Sequence, residues 1–277
     1  MILRLTSPLI RHLLLLCMVA CLLLSAKSSY AEVTLSIKVS DNTLQEYKLS
    51  ELQKSLPSYK VNFYNPHMGK DKNYEGFLIS ELFDFIYKDK WKSKDYSDIA
   101  FIALDGYEAV SSLDKFQETG GYLTFKDLDM NDGWELIGRK QADPGPFFLI
   151  WIRDHQTTEN AYPWPWQVSS INLLSFVEQY PNVVPQGAVI SSTEYKGFEI
   201  FRYRCLRCHA ISQQGGKIGP DLNAPQNITS YRSKHMIKEM IRHPSKYRHT
   251  HMPDHTDLSE EDLDNIYNYL LYQKAEH

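Results

Sequence analysis

The sequence predicts two domains of different class behind an export signal: an α+β domain over residues 32–188 and an all-α domain over residues 189–277. Three observations predict this. The four cysteines fall into two pairs, Cys17 with Cys21 in an apolar N-terminal run and Cys205 with Cys208 near the carboxyl end, and everything from Leu22 to Arg204 is free of cysteine. Charge changes along the chain: residues 32–190 carry 15 Lys+Arg against 23 Asp+Glu, whereas residues 191–277 carry 12 against 11 together with seven of the ten histidines. Apolar periodicity is mixed and strand-rich before the stretch Tyr180-Pro181-Asn182-Val183-Val184-Pro185-Gln186-Gly187, and helical after it.

Composition bounds the function. With 43% apolar and 23% charged residues the chain is neither disordered nor collagen-like. A net charge of −4 excludes a general grip on nucleic acid. Arg4 and Arg11 flank the start of the apolar run Leu13 to Leu24, and Ser29-Tyr30-Ala31 puts small residues at the −3 and −1 positions. This is the pattern of a secretory signal peptide, residues 1–31, cleaved after Ala31. The run is about a dozen residues, short of the ~20 that a membrane span needs. A retained anchor is one alternative. Lipoprotein processing at Met18-Val19-Ala20-Cys21 is the other, weakened because the apolar run continues past Cys21. No other segment is apolar enough to span a bilayer, so the mature chain is expected to be a soluble periplasmic protein with no transmembrane span.

The first domain is read from its periodicity. Val33 to Val39 alternates as a strand, and Leu44 to Leu56 suits a short helix. Tyr59 to Tyr64 is a second strand, and Phe77 to Tyr87 carries a helical pattern through Leu78, Leu82, Phe85 and Ile86. Ile99 to Leu104 and Phe147 to Ile152 are apolar runs of strand length beside the turn signals Asp105-Gly106 and Pro144-Gly145-Pro146. The Pro-rich stretch at 180–187 reads as a linker or extended strand, because Pro removes backbone donors and disfavours helix before it.

The second domain centres on Cys205-Leu206-Arg207-Cys208-His209, the attachment signature of c-type haem. Two thiols about one helical turn apart can each add to a haem vinyl group, and the adjacent His then faces the iron. A thioredoxin-like disulfide is the alternative. That motif opens a helix after a strand, whereas a helix-like segment precedes this one. Ser192-Thr193 caps that segment, and Gly197 and Phe201 share one of its faces. Ser259-Glu260-Glu261-Asp262 resembles a capping box, followed by Leu263, Ile266, Tyr267, Leu270 and Leu271 on one apolar stripe. Gly197 leaves room for this last helix to cross the first, with Phe201 packing on Tyr267 or Leu270. One haem held covalently would complete a core that roughly 85 residues cannot build alone.

Residues 190–273 resemble a class I cytochrome c, through Gly197-x-x-x-Phe201, Cys205-x-x-Cys208-His209, Gly219-Pro220-Asp221-Leu222 and Met252-Pro253. The resemblance implies an electron-transfer function and iron held by His209, with the Pro220 carbonyl accepting from His209 Nδ1. Met252 is the expected second axial ligand. His249, His251 and His255 crowd the same loop and keep a His/His site or an open position as alternatives. Met236 and Met240 are read as core residues of a helix over Tyr231 to Arg242. The segment before Met252 is basic and the one after it acidic, which fits either two solvated helix faces or a charge-steered docking surface. Asn227-Ile228-Thr229 matches a glycosylation acceptor and is read as incidental.

Residues 55–180 resemble the molybdopterin-binding domain of the sulfite oxidase type. The matches are Tyr74-Glu75-Gly76-Phe77-Leu78, Asp105-Gly106-Tyr107, Gly120-Gly121-Tyr122-Leu123, Gly145-Pro146 and Pro163-Trp164-Pro165-Trp166-Gln167. In that family a cysteine thiolate binds molybdenum, and here the corresponding stretch, Val61 to Met68, has none. Asn or His does not replace a soft thiolate, so the expected domain keeps the fold without molybdopterin. Trp164, Trp166, Tyr107, His67 and Met68 either line a small-ligand pocket or belong to ordinary core. The sequence therefore supports a mono-haem electron carrier, one electron per haem, whose first domain docks or senses and whose partners are periplasmic or membrane-bound redox proteins. The alternatives are an oxidoreductase that oxidises a small substrate and passes electrons to the haem, and a subunit holding a larger respiratory complex together.

Overall fold

The computed structural model describes residues 32–39, 44–138, 141–250 and 252–274, so the expected signal peptide lies outside the described residues. In chain order the first region forms β1 (Thr34–Val39), β2 (Leu44–Lys48), α1 (Leu49–Ser55), β3 (Tyr59–Asn65), β4 (Lys70–Leu78), α2 (Ile79–Tyr87), β5 (Asp98–Ala103), β6 (Glu108–Ser112), β7 (Gly121–Asp127), β8 (Phe148–Trp151), β9 (Val168–Leu174) and α3 (Phe176–Gln179). After it come α4 (Thr193–Arg204), β10 (Ala210–Ile211), β11 (Gln214–Gly215), α5 (Lys234–Arg242) and α6 (Glu260–Lys274).

The strands form two larger sheets. One has the order β2-β1-β9-β5-β6, antiparallel except where β1 runs parallel to β9. The other is antiparallel throughout, in the order β3-β4-β7-β8. Alternation shows in both sheets: β1 buries Leu35 and Ile37, and the edge strand β3 buries Val61, Phe63 and Asn65. β5 is buried almost throughout, as a central strand covered on both faces must be. On one of its faces Phe101 meets Phe116 at 5.5 Å between ring centroids, and Phe116 meets Trp151 of β8 at 5.3 Å. Aromatic packing thus joins the two sheets.

This architecture corrects the expected fold of residues 32–188. The region is sheet-rich, with two separate sheets and short helices, and it does not show the sulfite-oxidase-type fold. The motifs behind that expectation serve local packing. Gly76 sits at a bulge between β4 and β7, where an added Cβ would lie 2.7 Å from the Leu123 carbonyl oxygen. Tight strand contacts of this kind occur in many sheets and specify no cofactor fold. The C-terminal region is helical but carries the small β10-β11 ladder, so it is not purely α. Two local readings also shift. Leu44 to Lys48 extends as a strand before the short helix, and Phe77-Leu78 completes β4.

Thr34–His277 forms one compact unit. A single apolar cluster runs from Ala100, Val110 and Leu174 through Phe176, Tyr180 and Val183 to Phe198, Phe201, Tyr269 and Leu270. The Pro-rich stretch is therefore packed at its start: Val183 is fully buried, and its carbonyl accepts from Tyr269 Oη at 2.7 Å and Gln273 Nε2 at 3.0 Å. Tyr180 Oη donates to Glu108 of β6. On the face of β5 opposite Phe101, the fully buried Asp98 pairs with Arg202 of α4.

The helices start where side-chain caps start them. Ser192 Oγ accepts from Tyr195 N at 3.2 Å, and Ser233 Oγ from Met236 N at 3.3 Å. Ser259 and Asp262 exchange capping bonds of 3.1 and 2.9 Å at the head of α6. α4 and α6 cross at Gly197, where a Cβ would fall 1.9 Å from the Asn265 carbonyl oxygen. Phe201 packs on Tyr269 there, at 5.2 Å, where the expected partners were Tyr267 or Leu270. Since backbone cannot yield as a side chain can, Gly197→Val is expected to destabilise the chain by about 3 kcal/mol or more. Guanidinium unfolding of matched haem-loaded samples checks this, and an unchanged midpoint would remove the crossing from the account.

Candidate haem site

The site grows from the end of α4. Cys205 N donates to Phe201 O at 2.8 Å, and the chain then makes one further turn in which Cys208 N and His209 N both donate to Cys205 O, at 3.0 and 2.9 Å. This brings two thiols and an imidazole onto one short turn. The Gly-rich loop folds back over it, with Gly216 N donating to Leu206 O at 2.8 Å and Gly219 N to Cys208 O at 2.7 Å.

That loop fixes the imidazole. His209 Nδ1 donates to Pro220 O at 2.8 Å, which sets the tautomer with its lone pair on Nε2. Gly219 is required by the same contact, because a Cβ there would lie 2.6 Å from His209 Cε1. Desolvation lowers the His209 pKa, the bond to Pro220 opposes it, and the Arg248 charge adds to the lowering. The neutral ring is the form that ligates a metal.

Sequence reasoning missed what holds Pro220 in place. The Asp221 carboxylate accepts from four backbone amides: Ser212 at 3.2 Å, Gln213 at 2.6 Å, Asn223 at 2.8 Å and Ala224 at 2.9 Å. It ties the strand pair after His209 to the chain after Pro220. The only signal was an Asp after Gly-Pro, the composition of a turn. Asn227 is buried and donates to Leu270 O at 2.8 Å and Asn223 Oδ1 at 2.7 Å, so the Asn-Ile-Thr match is a structural element.

Cys205 and Cys208 are not joined in a disulfide. Desolvation pushes Cys205 up to about 12 and raises Cys208 as well. A redox dithiol needs a lowered thiol pKa, so these surroundings do not suit thiol–disulfide exchange. Met252 is partly buried and packs, with Cys205, Leu222 and Ile228, against the large apolar cluster. Two thiols, an imidazole with a fixed tautomer and a thioether beside an apolar wall fit a covalently held haem, which would supply one-electron chemistry there.

The competing ligands are placed differently. Met236 and Met240 are half-buried, and Ile237 and Ile241 carry the core face of α5. His249 is exposed and His251 lies outside the described residues. His255 Nδ1 lies 3.3 Å from Arg204 Nη2, and its pKa falls to about 4 through desolvation first and the Arg204 charge second.

The basic and acidic segments around Met252 turn toward each other. Lys238 contacts Asp264 and Glu260 at 2.6 Å each, Arg242 contacts Glu260 at 2.6 Å, and Lys234 contacts Asp264 at 3.0 Å. Much of the charge expected on a docking surface is thus used to clamp α5 onto α6.

Among the described residues no helix is long and apolar enough to cross a membrane. No curated protein matches the chain. The resemblance expected over residues 55–180 has no family match behind it. Residues 195–274 match the family model described as Cytochrome c, which supports a C-terminal cytochrome c domain with haem c and iron, a haem-based electron-transfer role and redox-protein partners.

Proposed function

We propose that the chain is an exported, periplasmic electron carrier holding one haem through thioethers from Cys205 and Cys208. His209 and Met252 are its axial ligands, and Pro220 orients His209. The segment 189–277 carries the redox group, and the segment 32–188 docks or presents it. The observation that carries the reading is the His209 Nδ1 bond to Pro220 O within a segment that matches a cytochrome c model.

A thioether ligand raises a haem potential relative to a second imidazole, which suits acceptance of electrons from donors of lower potential. Met252→Ala is therefore expected to abolish the weak sulfur-to-iron absorption near the red edge of the oxidised spectrum and to lower the midpoint potential. Survival of that band in the variant would eliminate Met252 as the ligand.

A further inference from the structure

The first region holds a cavity of about 500 Å³, apart from the haem site, between the end of β3 and the chain that follows β8. Its walls include Phe63, His67 and Trp164. The Phe63 and Trp164 rings lie 5.8 Å apart, and His67 meets Trp164 at 6.0 Å and 74°. The Trp164 indole N–H is already committed to Gln156 O at 3.2 Å, so this residue offers the cavity ring surface rather than a donor.

The charged groups in the lining are unevenly committed. The Arg153 guanidinium donates to Thr119 O at 2.8 Å and to Thr119 Oγ1. Asp154 has no hydrogen-bond or ion-pair partner among the described residues, and the Glu159 carboxylate accepts only side-chain hydroxyl and main-chain bonds. His67 is exposed, and desolvation by its neighbours lowers its pKa while the Glu159 charge pulls the other way. The imidazole is thus neutral near pH 7, and the carboxylate acts on the space that the aromatic rings border. Arg204 lies near enough for its charge to act on Glu159, but Glu159 and Asp154 make no ion pair among the described residues. Aromatic faces beside such carboxylates attract cations, Trp most strongly. A metal ion is a poor occupant, since no group of three or more His, Cys, Asp or Glu that could hold one occurs among the described residues.

We propose that this cavity binds a small organic cation of the quaternary or tertiary ammonium class, with Trp164 and Phe63 supplying π surface and Glu159 supplying the opposing charge. Its size suits a ligand somewhat larger than the bare ammonium head, with room for a polar or apolar tail.

The test uses the haem-loaded full chain, because the Glu159 carbonyl accepts from Arg204 at 3.3 Å and Arg204 precedes Cys205. Isothermal titration calorimetry compares choline with 3,3-dimethylbutan-1-ol, which has the same shape and no charge. Choline is expected to bind once per chain, about tenfold or more tighter than the neutral alcohol, as a partly desolvated cation–π contact implies. Glu159→Gln and Trp164→Leu are each expected to weaken choline about tenfold while the haem spectrum stays unchanged. Equal binding of the two probes to the unaltered protein, no heat with choline, or full choline affinity in the Glu159→Gln variant would overturn the proposal.

Discussion

Replacing Cys205 and Cys208 together by serine is expected to yield a colourless chain that runs without peroxidase activity on a denaturing gel. Serine keeps the turn, since the bonds from Cys208 N and His209 N to the residue 205 carbonyl use main-chain atoms. It removes both sulfurs, and a hydroxyl does not add to a vinyl group under the same maturation. The structural consequence is as large as the chemical one. The side chains that pack at the margin of the C-terminal core, among them Cys205, Leu222, Ile228 and Met252, then face no macrocycle. A segment of this size depends on its prosthetic group for a complete core, so the variant should also lose protease resistance over residues 195–274. His209→Ala separates the two effects: covalent haem remains, but the low-spin bands disappear. A serine double variant that still stained for haem would mean that these sulfurs are not the attachment points.

Arg202→Met is expected to lower stability by about 3–5 kcal/mol, because it strands the Asp98 carboxylate inside the protein. Asp98 is fully buried in the central strand β5, and Arg202 is nearly so, with its guanidinium 4.1 Å from the Phe176 ring centroid. Asp98 Oδ1 and Arg202 Nε already lack partners among the described residues, and removing Arg202 takes away the one ion-pair partner of Asp98 there. Replacing both residues, as in Asp98→Leu with Arg202→Met, should recover most of the loss, since a buried pair and an apolar pair of similar volume differ little. Burial raises the Asp98 pKa, with Arg202 acting in the opposite direction. Without Arg202 the folded-state pKa rises further above the unfolded value of ~4. The deficit of the single variant should then be smallest below pH ~4 and grow as pH rises through the folded-state pKa. Guanidinium unfolding of haem-loaded samples at acid and neutral pH measures this. A single variant within about 1 kcal/mol of the parent at neutral pH would contradict the account.

What could be read from the sequence was what is encoded locally. Cys205, Cys208 and His209 are fixed by one turn of chain, and Ser192 and Ser259 cap helices within three residues of themselves. The crossing at Gly197 was legible because a glycine and an apolar stripe suffice to suggest it. Partners chosen by tertiary packing were not legible. Arg202 and Asp98 are 104 residues apart. Lys72, almost wholly buried, gathers Asp127 at 2.9 Å, Asp129 at 3.2 Å and Glu135 at 3.0 Å from a different part of the chain. Sheet order failed for the same reason: short glycine and proline motifs around β4, β7 and β8 report local turns and close contacts, and the pairing of β1 with β9 across more than a hundred residues leaves no local trace. The cavity was half legible, since His67 and Trp164 border it whereas Tyr107, Trp166 and Met68 do not.

The central claim is that a metalloporphyrin is bonded to this chain through Cys205 and Cys208. Intact-mass measurement of the exported protein, produced with a cytochrome maturation system and then denatured and reduced, tests it most directly. The account predicts a mass increased by one haem, one iron per chain, and no alkylation at either cysteine. An unmodified mass with both thiols open to alkylation would contradict it.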